Sequence, residues 1–66
     1  MSQRKSVLDA FSVGDRVRVT KGEPTYFQRG DVAVLTHRDD DGDWWGDIED
    51  GTADVCLTDR GAIAPL

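Results

Sequence analysis

From Phe11 onward, short runs of alternating apolar and polar residues are separated by clusters of Gly, Pro and Asp. This texture predicts an all-β domain of short strands. Arg16-Val17-Arg18-Val19 alternates strictly, so Val17 and Val19 face a core and the two arginines face water. Val32-Ala33-Val34-Leu35 is apolar on both faces, which predicts a central strand covered on each side. The Asp-rich stretch before Trp44 and the Asp50-Gly51 pair bracket residues 43–49, predicting two consecutive hairpins with a strong Asp-Gly turn signal in the second. Residues 52–57 read as a strand, 58–61 as a tight turn and 62–66 as a short closing strand, in which Pro65 requires an edge position. The first ten residues show neither alternation nor turn signals. They predict a flexible tail with a short helical turn between Ser6 and Ala10, and place the start of the domain at Phe11.

Within the β region a short motif occurs twice. Phe11-Ser12-Val13-Gly14-Asp15 and Phe27-Gln28-Arg29-Gly30-Asp31 each precede a strand. Gly permits a positive φ at the strand start, Asp can hydrogen-bond nearby backbone, and the preceding Phe can cap the core. Between the two strands, residues 21–29 form a loop by their Gly and Pro content. Its adjacent aromatics point opposite ways in extended chain, which buries Phe27 and leaves Tyr26 near the surface.

With 66 residues, the chain makes one domain, whose folding hides only about 60% of the surface exposed when unfolded. Cys56 is the single cysteine, so no intrachain disulfide can form. No signal peptide and no apolar run of membrane-spanning length is present, which leads to the expectation of a soluble cytoplasmic protein. Charge is divided unevenly. Residues 1–38 carry seven basic and four acidic residues, whereas residues 39–66 carry one basic and nine acidic, giving +3 and −8 within the overall −5. An acidic half gathered on one face repels phosphate and favours a basic partner, so nucleic-acid binding is disfavoured.

Candidate chemistry is sparse. The acidic turn fails as a calcium loop, because the bidentate Glu expected six places after Gly42 is Ile48. His37 and Cys56 belong to no evident triad and there is no phosphate-binding Gly-rich loop, so neither an enzyme nor a metal or cofactor site is expected. Cys56, between Val55 and Leu57, reads as a small buried hydrophobe, and His37 as a surface residue beside a turn. Alternation sends one of Trp44 and Trp45 to the core. Trp44 is taken as the half-exposed contact residue and Trp45 as structural.

Residues 23–66 resemble the SH3 family. Phe27-Gln28-Arg29-Gly30-Asp31 resembles its diverging turn, Asp41-Gly42-Asp43-Trp44-Trp45 its acidic loop and tryptophan pair, and residues 62–66 its closing strand. The resemblance implies a small five-stranded SH3-like barrel in which Trp44 packs on proline-rich ligands and Glu23 meets a ligand arginine. Val17 to Thr20 stands where the family has a tyrosine-bearing motif, and residues 58–61 lack the Pro and Tyr of its short helical turn. Asp47 falls where the family places a core aliphatic, unless Gly46 forms a bulge that turns Ile48 inward. Residues 14–19 and 23–27 are also similar to SH3-like accessory subunits, such as the small peripheral subunit of photosystem I, and to KOW-type modules. The expected function is a non-catalytic protein-binding module in which Trp44, Tyr26, Glu23, Asp40, Asp41 and Asp43 hold a basic or Pro-containing segment of a protein partner. The alternatives are an accessory subunit of a larger assembly and an acidic decoy that occupies the nucleic-acid site of a basic protein.

Overall fold

The computed structural model describes residues 7–66. A single 3-10 turn, Val7–Ala10, precedes five strands: β1 (Arg16–Lys21), β2 (Val32–Arg38), β3 (Trp44–Ile48), β4 (Val55–Cys56) and β5 (Ala62–Pro65). All pairings are antiparallel, in one sheet of order β4-β3-β2-β1-β5. The domain is therefore all-β, as expected, with β2 at the centre and Pro65 on an edge strand. Among the described residues no helix is long and apolar enough to cross a membrane.

Each motif repeat becomes the same turn. Asp15 N–H donates to the Ser12 carbonyl and Asp15 Oδ2 accepts from Ser12 N–H, while Asp31 and Gln28 make the identical pair of bonds. Gly14 and Gly30 occupy the third turn position at φ +94° and +97°, the geometry of a type II turn that favours Gly there. Gly14 N–H then bonds the Leu35 carbonyl and Leu35 N–H the Asp15 carbonyl; Gly30, Val19 and Asp31 repeat this at the other end. The β1–β2 ribbon is thus closed at both ends by equivalent glycine bulges, which fix its register.

Val17 and Val19 of β1 and Ala33 and Leu35 of β2 are buried, as the alternation predicts. Trp44 and Ile48 of β3, with Phe27, Val55, Leu57 and Ile63, complete the core, and Leu8 and Phe11 pack against it. Each buried aliphatic contributes roughly 1.5–3 kcal/mol relative to exposure. Val32 and Val34, expected to be covered, are only half-buried, because among the described residues no second layer lies over that face of the open sheet.

Three further expectations are corrected. The sheet does not close into a barrel, because no ladder joins β4 to β5. β4 is two residues long, and its last rung is the bond from Leu57 N–H to the Trp44 carbonyl. The gap is bridged by close packing: a Cβ on Gly61 would come within 2.7 Å of both the Leu57 and Lys21 carbonyl oxygens. The Asp50-Gly51 pair does not make a two-residue hairpin turn. β3 and β4 are joined by a six-residue loop held by the Ile48 N–H to Thr52 carbonyl bond, and its left-handed residue is Asp54, at φ 55°. β3 contains no bulge at Gly46. The extra residue is Thr36 on β2, between the pairs Leu35–Gly46 and His37–Trp45, and its hydroxyl donates to the Trp45 carbonyl at 3.2 Å. Finally, Val7–Ala10 forms a short helical turn within the tail expected over residues 1–10, with Leu8 packed against the core, and residues 1–6 of that tail lie outside the described residues.

Candidate binding cleft

Side-chain parity along β3 determines which aromatics are available. Trp44, Gly46 and Ile48 point inward and Trp45 and Asp47 outward. The expectation for the tryptophans is therefore reversed. Trp44 is 4% exposed, its indole N–H donates to the Leu8 carbonyl at 2.8 Å, and the Arg38 guanidinium lies 5.6 Å over its ring. Arg38 also bonds the Gly42 carbonyl and pairs with Asp9 at 2.7 Å, fastening the N-terminal turn over Trp44. Trp45 is the half-exposed partner. It stacks on His37 with ring centroids 5.6 Å apart and planes 18° from parallel.

Asp39 holds Trp45 in place. Its Oδ1 accepts from the N–H groups of Asp41 and Asp43, and its Oδ2 accepts from the Trp45 indole N–H at 2.8 Å. These bonds, the indole donor foremost and the Asp43 N–H next, hold the Asp39 carboxyl below the usual carboxylate range. Gly42 completes this turn at φ +87°. Asp40 and Asp41 lie exposed at its tip. Asp43 is turned inward, where its Oδ1 accepts from the Thr58 hydroxyl at 2.8 Å. The Asp39 and Asp43 carboxylates, both engaged in these internal hydrogen bonds, and the Cys56 thiol lie within 4.8 Å of one another.

Tyr26 reaches the same region from the long loop. Tyr26 N–H and Phe27 N–H both bond the Glu23 carbonyl, with Pro24 at the second turn position, where its fixed φ fits. Burial of the Phe27 ring turns Tyr26 outward, leaving it 51% exposed. Glu23, Tyr26, Phe27, Trp45, Asp54, Val55 and Cys56 line a cleft of about 210 Å³. At its rim Glu23 carries the Arg60 guanidinium at 3.5 Å, and Asp54 N–H is fixed by Asp47 Oδ1 at 2.8 Å. Cys56 pairs across the strands with Trp45 and is half-buried rather than a core residue. Burial, above all, raises its thiol pKa and disfavours the thiolate.

Of the six residues expected to contact a partner, the structure brings Tyr26 and Glu23 to this cleft. Asp40, Asp41 and Asp43 do not line it, and Trp44 lies in the core. Trp45, Asp54 and Cys56 were not anticipated. The Trp-Gly-Asp-Ile alternation after Trp44 could have identified Trp45, because burying Ile48 and exposing Asp47 fixes the parity of the whole strand. A larger apolar cleft, about 560 Å³, lies between Phe11 and β5. Its charged side chains are already engaged: Arg16 makes a two-point bond to Glu49, and Asp15 accepts from Ser12 N–H. No protein-family model, curated protein or solved structure matches the chain.

Proposed function

We propose that this domain is a non-catalytic protein-binding module of SH3-like architecture, whose Tyr26–Trp45 cleft takes a cationic, Pro-containing segment of a partner protein. The meander from β2 to β4, followed by a β5 that returns to pair with β1, supports the architecture. The observation that carries the function is the half-exposed indole of Trp45, oriented by Asp39 and His37, beside an exposed tyrosine and two carboxylates. An indole whose position is fixed before binding loses little freedom on contact and can stack on a Pro ring or a cation. Glu23 and Asp54 supply the complementary sign. Asp40 and Asp41, away from the cleft, contribute to the long-range field that speeds encounter.

The test is affinity for a Pro-containing basic peptide. Trp45→Ala should weaken binding about tenfold or more, as truncation of an aromatic anchor does. Asp54→Asn and Glu23→Gln should weaken it less, with a shallower dependence on salt. Equal affinity of Trp45→Ala and the parent chain would refute the assignment.

The larger apolar cleft, beside an exposed Val13 and Leu66, favours a second reading as an accessory subunit docked on a larger assembly. In that case hydrogen-exchange protection by the partner would centre on Phe11 and β5 and leave Tyr26 and Trp45 unchanged.

A further inference from the structure

We propose that the cation held in the Tyr26–Trp45 cleft is the methylated ammonium of a modified lysine on the partner, in preference to an unmodified lysine or an arginine. This rests on the protein-binding reading above and specifies the ligand of the same cleft.

The decisive feature is how few hydrogen-bond acceptors the lining offers. Tyr26, Phe27, Trp45 and Val55 contribute ring and aliphatic surface, and Cys56 contributes a thiol that burial keeps protonated. The Trp45 indole N–H, the one strong donor on that ring, is engaged by Asp39. The side-chain acceptors in the lining are the Tyr26 hydroxyl and the Glu23 and Asp54 carboxylates, and Glu23 already carries Arg60.

A guanidinium brings five N–H donors and a lysine ammonium three. Each donor gives up water on entering a cleft lined mainly by carbon, and only those that reach Asp54, Glu23 or the Tyr26 hydroxyl regain a partner. A trimethylammonium has no donor to satisfy, is weakly hydrated, and is attracted by the faces of Trp and Tyr as well as by nearby carboxylates. The charge of the site and its apolar lining are both met by that one group. Arg60 acts as an internal competitor for Glu23, so its removal should strengthen cation binding.

The test uses the full chain and three peptides of one sequence, differing at a single position that holds trimethyllysine, lysine or arginine, with free choline as a fourth ligand. Amide and indole shifts are followed by NMR. The trimethyllysine peptide should bind at least about fivefold more tightly than the lysine peptide, a factor of the size an aromatic–cation contact provides. It should move the Trp45 indole and Tyr26 signals, and bind more tightly still to Arg60→Ala. Equal or tighter binding of the unmodified or arginine peptide would overturn the inference while leaving the module reading intact. Choline binding as tightly as the trimethyllysine peptide would overturn the assignment to a protein side chain. No response to any of the cationic peptides would overturn both the inference and the reading beneath it.

Discussion

Replacing Trp44 by Ala separates the parity deduced for β3 from its opposite, because the two tryptophans then differ in kind. Trp44 is 4% exposed, and its removal opens a cavity in the core and deletes the indole bond to the Leu8 carbonyl. Truncations of this type cost roughly 3–5 kcal/mol, from lost transfer energy plus the residual cavity. Native stabilities run at about 0.05–0.15 kcal/mol per residue, so a domain of this length has roughly 3–10 kcal/mol in all. Trp44→Ala therefore removes between a third and all of the stability. At about 4–8 °C per kcal/mol for a domain of this size, Tm should fall by at least ~12 °C. Trp44→Phe keeps an apolar ring and should cost far less. Trp45→Ala loses the His37 stack and a half-exposed surface, for about 1–2 kcal/mol. Thermal melts followed by far-UV circular dichroism, which does not depend on the deleted fluorophore, measure all three. A Trp45→Ala melt as low as that of Trp44→Ala, or lower, would refute the placement of Trp44 in the core.

Further outcomes follow from the same geometry. Gly46→Ala should destabilise strongly, by about 1–3 kcal/mol or more, because the new Cβ meets the Val34 carbonyl oxygen and lies 3.2 Å from Leu57 Cδ1; denaturant midpoints compared with the parent chain measure this. The Asp39 carboxyl is held below its ordinary range in the folded state, so its contribution is present above its unfolded pKa and is lost as pH falls through the lower folded value. Stability should therefore decline as pH drops below about 4, and less steeply in Asp39→Asn, as read from denaturant midpoints across that range. Cys56 should alkylate more slowly at neutral pH than an unhindered thiol, because burial disfavours its thiolate, and more slowly again with ligand in the cleft; mass spectrometry against time gives both rates.

Where a strand has one clear apolar face, the sequence and the structure agree. Arg16-Val17-Arg18-Val19 alternates without exception, and the repeated Phe-x-x-Gly-Asp motif encodes its own turn, since the Gly conformation and the Asp side-chain bond are both local. The β3 error came from letting a resemblance override alternation. Placing Trp44 outward required an extra bulge to bury Ile48, whereas placing it inward buries Trp44, Gly46 and Ile48 without one. The bulge sits instead at Thr36 on β2, where no Gly or Asp announces it; it reflects pairing with β3, which is a non-local property. The open sheet was equally hidden. Whether β4 reaches β5 depends on how the chain from Leu57 to Gly61 packs against Lys21 and Phe27, and the turn residues there do not specify it. Of the cleft, Tyr26 was legible from the opposite orientation of the adjacent aromatics, Glu23 came from the SH3 resemblance, and Trp45 was available from parity. Asp54 and Cys56 reach it through the six-residue loop and the β3–β4 register.

The two indole N–H signals of the labelled chain test the binding surface most directly, since one belongs to the core and one to the cleft. On titration with a basic Pro-containing peptide, the Trp45 indole, bonded to Asp39, should shift together with the Tyr26, Asp54 and Val55 amides, while the Trp44 indole, bonded to the Leu8 carbonyl, stays in place. A shift of the Trp44 indole with Trp45 unmoved, or changes confined to Asp40 and Asp41, would contradict the account.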